Sequence, residues 1–216
     1  MTSVLVIGTS HIAQESVKTI REAFRAFQPN AVALELDANR YYALLHPQAR
    51  ASAWQTLRIV GLKGYLFALL GKFVQDRLGK SIGMKAGSDM LSAIQLAREK
   101  KMPVFLIDQD LRITLKNISK RLGWKEKLQI LKDLVRPPVE YYELKHDLRK
   151  TPSPELIRKI LRHLRRSYPA LYDVLVRQRN RHMKRQLEHI LRHHPDKRIL
   201  VIVGAGHEEE LSHAFR

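Results

Sequence analysis

The chain has no cysteine among its 216 residues. That excludes disulfides, thiolate zinc centres and a cysteine nucleophile together, and it suits a reducing, intracellular setting. Any metal must then be held by nitrogen and oxygen. Acidic residues are scarce beside basic ones, 21 Asp and Glu against 39 Lys and Arg, leaving a formal charge of +18. Aromatic residues are also few, at 7%, and are not interleaved with the basic ones in the way that a platform for stacking bases requires. Long apolar runs are missing: the most apolar window, Ile59 to Val74, has 16 residues and contains Lys63, Lys72 and three glycines. It is too short to span a bilayer and suits a buried or dimer-facing helix, with an interfacial membrane contact as the alternative. The N-terminus carries no series of basic, apolar and small residues of the signal-peptide kind, so a cytoplasmic protein is expected.

What is present is enough chain for one domain, 1–216, able to bury about 70% of its unfolded surface. The charge is concentrated. Residues 111–198 hold 24 Lys and Arg against 9 Asp and Glu, a net +15 that would attract an anionic partner such as nucleic acid, lipid headgroups or an acidic peptide. Four runs rich in Val, Ile and Leu read as buried strands: Val4 to Ile7, Ala31 to Leu36, Pro103 to Ile107 and Ile199 to Val203. Helical patterns cover Glu15 to Phe27, Asp37 to Leu45, Asp89 to Glu99 and the stretches after Thr114. This alternation predicts an α/β fold, a central sheet flanked by helices. Between the third and fourth runs, about 112–195, lies a basic, mostly helical insertion, broken at Pro137-Pro138, at Thr151 to Pro154 and at Pro169.

The first and last runs end alike. Val4 to His11 reads V-L-V-I-G-T-S-H and Leu200 to His207 reads L-V-I-V-G-A-G-H, so each apolar run finishes in Gly-x-x-His. Ligands of open α/β sheets sit beyond the carboxyl ends of the strands, and all four runs deliver polar groups there: His11, Glu35 with Asp37, Asp108 with Asp110, and His207. The paired carboxylates, two residues apart, would share one face of an extended chain. Gly8 and Gly204 would let the backbone turn sharply and approach a ligand. Imidazoles and carboxylates together make a first-row divalent site. Competing motifs fail: Gly204-Ala205-Gly206 has Glu209 where a dinucleotide fingerprint needs its third glycine, and His207-Glu208 lacks a second His at Leu211. There is no phosphate loop and no G-x-S-x-G elbow. The other histidines, His46, His146, His163, His182, His189, His193, His194 and His213, lack ligand spacing. Val176, Asn180, Met183 and Leu187 form one helical stripe, which turns Asn180 inward.

Six blocks in order complete the pattern: G-T-S-H-x-x-x-x-S (Gly8 to Ser16), E-L-D-x-x-R (Glu35 to Arg40), G-S-D-M-x-x-A (Gly87 to Ala93), L-I-D-x-D-x-x-x-T (Leu106 to Thr114), L-Y-x-x-L-V-x-x-R-x-x-x-M (Leu171 to Met183) and I-V-G-A-G-H (Ile202 to His207). Over essentially the whole chain this resembles the TraB/PrgY pheromone-shutdown family, particularly its archaeal members, and through the two Gly-x-x-His motifs the Tiki-type metalloproteases. The resemblance implies a hydrolase of peptides dependent on a divalent ion (Mn²⁺, Co²⁺ or Zn²⁺). His11, His207 and Glu35 would be metal ligands, Glu35, Arg40 and Asp108 catalytic groups, and Gly8, Asp37, Asp89, Asp110, Arg179, Asn180 and Gly204 supporting residues. Which carboxylate ligates and which takes a proton is left open. The chain departs from the family pattern at Asp89, where Glu is usual, at Ala13, where Ser is usual, at Gln109 within D-x-D, and at Gln178 and Asn180, amides in place of acids. The amides lose charge and proton-accepting ability and keep a second reading alive, a peptide-binding protein without catalysis. A third reading is a basic adaptor for nucleic acid or an acidic membrane.

Overall fold

The computed structural model describes residues 3–9, 14–46, 87–135 and 153–216. Four strands, β1 (Ser3–Thr9), β2 (Ala31–Leu34), β3 (Val104–Leu106) and β4 (Arg198–Gly204), form a sheet in the order β1-β4-β2-β3 with every pairing parallel. The helices are α1 (Gln14–Phe27), α2 (Ala38–Leu45), α3 (Ser88–Glu99), α4 (Leu111–Arg121), α5 (Trp124–Val135), α6 (Pro154–Ser167), α7 (Pro169–Tyr172), α8 (Gln178–His193) and α9 (Ala205–Ala214). The chain is therefore α/β, as the alternating runs predict. The last strand is inserted between the first two. In that position Ile199 to Val203 are fully buried, which is why the run is apolar throughout and not alternating.

Alternate residues of the strands feed two cores. Ile7, Val32, Leu34, Leu200 and Ile202 pack with Ile20, Ala23 and Phe24 of α1 and with Met90, Ala93, Ile94 and Ala97 of α3. Both helices present the i, i+3, i+4, i+7 stripe of an amphipathic helix. On the other face Val6, Ala31, Ala33, Ile199, Val201 and Val203 pack with Met183, Leu187 and Ile190 of α8 and with Leu211 of α9. The expected inward stripe of α8 is present, with Asn180 2% exposed among it. The helix after β2 leans on the first core through Tyr41, Leu44 and Leu45, whereas the helix after β4 leans on the second. Neighbouring strands whose succeeding helices diverge to opposite faces leave a crevice at their carboxyl ends. The Ile59 to Val74 window and Pro137-Pro138 lie outside the described residues.

Candidate active site

Glu35 leaves β2 at this crevice. Its backbone N–H still donates to Ile202 O of β4 at 3.0 Å, so its side chain turns along the strand ends and not into solvent. Oε2 accepts the N–H of Gly204 at 2.5 Å. Oε1 accepts from Nη2 of Arg179 and lies 3.6 Å from Nε2 of His207. A carboxylate 4% exposed thus has compensation on both oxygens, without which burial would be prohibitive.

Arg179 is the hub. Nε donates to Asp108 Oδ1 at 3.1 Å, Nη2 to Asp108 Oδ2 at 2.6 Å and to Glu35 Oε1, and Nη1 to the carbonyl of Leu175 at 3.4 Å and to His207 Nε2 at 3.1 Å. These are as many bonds as a guanidinium has N–H groups, so the fork is saturated. Burial opposes its charge, but the Glu35 charge and the hydrogen bonds and charge of Asp108 overcome that and hold its pKa above the usual arginine range. A π-helical turn, Asp173–Arg177, immediately precedes α8. Such turns widen the helix and re-aim the side chains beyond them, and here Arg179 and Asn180 come next.

The protonation of His207 is set by its neighbours. Arg179 can only donate, so Nε2 must offer its lone pair; Nδ1 therefore carries the hydrogen and donates a hydrogen bond to Asn180 Oδ1 at 2.5 Å. Asn180 Nδ2 in turn donates to Glu210 Oε2 at 2.5 Å, which fixes the orientation of the amide. The imidazole is neutral, with Nε2 towards Arg179 and Glu35. Half-buried His182, two residues beyond Asn180 on α8, has its pKa pushed down by burial, partly offset by the Asp108 charge and assisted by Arg185.

Asp108 and Asp37 share a second arginine. Arg40 donates from Nε to Asp37 Oδ2 at 2.8 Å and from Nη2 to Asp108 Oδ2, while Asp108 Oδ1 also accepts the N–H of Gln109 at 2.8 Å. The Arg40 side chain is 34% exposed and that of Asp108 only 2%, so Arg40 is the more exposed of the two arginines. Asp37 caps α2 by accepting from the backbone N–H groups of Asn39 and Arg40 at 2.9 and 3.0 Å. Three carboxylates, Glu35, Asp37 and Asp108, are tied together by two guanidiniums.

A family model described as the TraB/PrgY/gumN family matches residues 1–208. The chain belongs to that family. It is 31% identical over 210 residues to the uncharacterized protein MJ1365 of Methanocaldococcus jannaschii, covering 95% of this chain and 51% of that one. The chain thus spans about half the length of the curated relative it matches.

Within this TraB/PrgY/gumN chain the sequence-predicted residues sort into three places. Glu35, Arg40, Asp37, Asp108, Arg179, Asn180, Gly204 and His207 meet in one hydrogen-bonded group. Asp89, fully buried at the start of α3, accepts from Thr9 Oγ1 at 2.5 Å at the end of β1. Asp110 caps α4 and is bound by Arg112, whose hydrogen bonds hold its carboxyl below the usual range against a smaller effect of burial. The expectation that Glu35 with Asp37, and Asp108 with Asp110, share a strand face is replaced, because β2 ends at Leu34 and β3 at Leu106, ahead of all four carboxylates. His11 and Ala13 lie outside the described residues. The structure adds Glu210, which no motif marks, and gives Arg179 its role. Gln178 bonds Asn117 and Asp173 and not the Glu35 group.

The donors of the family's expected metal fit in kind: a neutral imidazole with its far N–H tied to an oxygen acceptor, as ligating histidines usually are, and buried carboxylates suited to a first-row ion. Among the described residues no group of three or more His, Asp or Glu is placed to hold an ion. His207 and Glu35 supply two donors; a further ligand has to come from elsewhere, and His11 is the expected one.

Proposed function

We propose that the chain is a metal-dependent hydrolase acting on peptides, with its site at the carboxyl ends of β2, β3 and β4. The observation that carries this reading is the juxtaposition of His207 Nε2 and Glu35 Oε1, 3.6 Å apart, in a crevice that also holds two arginines. His207 and Glu35 would hold Mn²⁺, Co²⁺ or Zn²⁺, with His11 as the third ligand. Such an ion, when bound, supplies Lewis-acid polarisation of a peptide carbonyl and of an attacking water.

The remaining work falls to the chain's own groups. Asn180 keeps His207 in the one tautomer that leaves Nε2 as an acceptor. Asp108, its lone pairs occupied by Arg40, Arg179 and Gln109, acts as an anchor for arginines, which leaves Glu35 as the carboxylate nearest the reacting groups. Arg40, at the rim, steadies the oxyanion or a substrate carboxylate. The deciding measurement is cleavage of a peptide mixture by protein stripped with chelator and then reloaded. Cleavage should appear only with metal and fall by about a hundredfold or more in His207→Ala and Glu35→Gln. Peptide retention with neither metal uptake nor cleavage would instead make it a peptide-sequestering protein.

A further inference from the structure

We infer that Arg179 is the resident counter-cation of this site, and that a divalent ion enters only as Arg179 releases His207 and Glu35. The inference rests on the metal reading above and deepens it. A neutral imidazole has one lone pair. In His207 that lone pair, on Nε2, accepts Nη1–H of Arg179 at 3.1 Å, while Nδ1 is committed as a donor to Asn180 at 2.5 Å. Ligation through Nε2 and the bond to Arg179 therefore exclude each other.

The same holds for charge. Nη2 of Arg179 bridges Glu35 Oε1 and Asp108 Oδ2, so the guanidinium charge lies against the carboxylate oxygen that an ion would have to take. A guanidinium and a metal dication at one point would repel strongly in a buried crevice. The Arg179 side chain is 15% exposed and that of Glu35 4%, so water does not screen the conflict. Release is feasible in steps: Arg179 can keep both bonds to Asp108, at 3.1 and 2.6 Å, while withdrawing Nη1 from His207. Asp108 then serves as the parking place for the arginine, which gives a reason for a carboxylate bound by two guanidiniums at once. Metal affinity is set by this exchange and is lower than the donor set alone would give.

The test uses Mn²⁺, whose free form is counted by electron paramagnetic resonance, titrated into the chelator-stripped full chain at fixed ionic strength. Arg179→Met should bind one Mn²⁺ roughly tenfold or more tightly than the wild type, and adding His207→Ala should remove the gain. Arg179→Lys retains a charge but donates from a single point, so its affinity should lie between the two; circular dichroism checks that each variant is folded, and Arg179→Lys decides the matter should Arg179→Met not fold. If the arginine variants bind Mn²⁺ no more tightly than the wild type while His207→Ala weakens binding, the exchange is wrong and the metal site stands. If wild type and variants alike take up neither Mn²⁺ nor Zn²⁺, both ideas fall.

Discussion

At the scale of single residues, Gly8 shows how a correct reading can rest on the wrong cause. The pattern Gly-x-x-His suggests a sharp turn at each glycine, yet Gly8 lies inside β1, which runs on to Thr9, and Gly204 has φ −63 and ψ 145, extended values that most residues adopt. What requires a glycine at position 8 is a neighbour: a Cβ there would collide with Glu208 Oε2 and stand 2.8 Å from its Cδ and 3.0 Å from its Cβ. Glu208 sits beside His207 in the first turn of α9, so the glycine lets that helix seat closely on β1. Gly8→Ala should cost about 1–3 kcal/mol through overpacking, read as a shift in chemical denaturation midpoint. Because the nearest atoms belong to the far end of a flexible side chain, Glu208→Ala in the same chain should restore most of the loss. If the double variant is as unstable as the single one, the methyl is opposed by the Glu208 Cβ at 3.0 Å, which alanine retains, and not by the carboxylate.

At the scale of elements, short caps and turns aim the charged groups. Asp37 is both the N-cap of α2 and the partner of Arg40, two roles that substitutions separate. Asp37→Asn keeps a capping oxygen and should leave stability nearly unchanged, whereas Asp37→Ala should lose about 1 kcal/mol in thermal or denaturant unfolding; equal losses would mean that the ion pair to Arg40, and not the cap, secures α2. The existence of these elements is legible in the sequence. Apolar runs mark all four strands to within a residue or two, and the stripe of Asn180, Met183 and Leu187 marks the inner face of α8. Strand ends are less legible: the run to Leu36 reads as strand, but pairing stops at Leu34, where Glu35 turns to meet Gly204. The site is legible where a motif repeats or a carboxylate interrupts an apolar run, as at His207 and Glu35. It is illegible where one charge must be picked from many. Arg179 is marked by the family block alone: its chemistry does not set it apart from 39 cationic residues, and its carboxylate partners are 71 and 144 residues away. Glu210 is one of three consecutive glutamates, and only the packing of α9 on α8 directs it to Asn180. No propensity announces the π turn that precedes Arg179.

At the scale of the whole molecule, the sheet order answers why two apolar runs so distant in sequence end alike. β1 and β4 are parallel neighbours in a register that sets Gly8 opposite Val203 and Thr9 opposite Gly204, so the glycines that open the two motifs lie one register step apart on adjacent strands. Some of the basic charge between β3 and β4 is neutralised inside that region, since Asp173 lies within ion-pair distance of Arg121, Arg177 and Arg181. The insertion of β4 has a further consequence. It supplies hydrogen bonds and apolar side chains to both β1 and β2, which do not pair with each other, and it belongs to both cores. β1 has no strand partner, and neither core closes, until residues near 200 arrive, and contacts of such long sequence separation form slowly. Removing residues 198–216 should therefore abolish the cooperative thermal transition and expose the amides of β1, and those of β2 that face β4, to rapid hydrogen exchange, while α1 and α3, which touch each other as well as the sheet, retain part of their helicity. If the shortened chain still melts in one cooperative step with protected β1 and β2 amides, the sheet has an alternative pairing of β1 with β2, and the placement of β4 between them is not what holds the fold together.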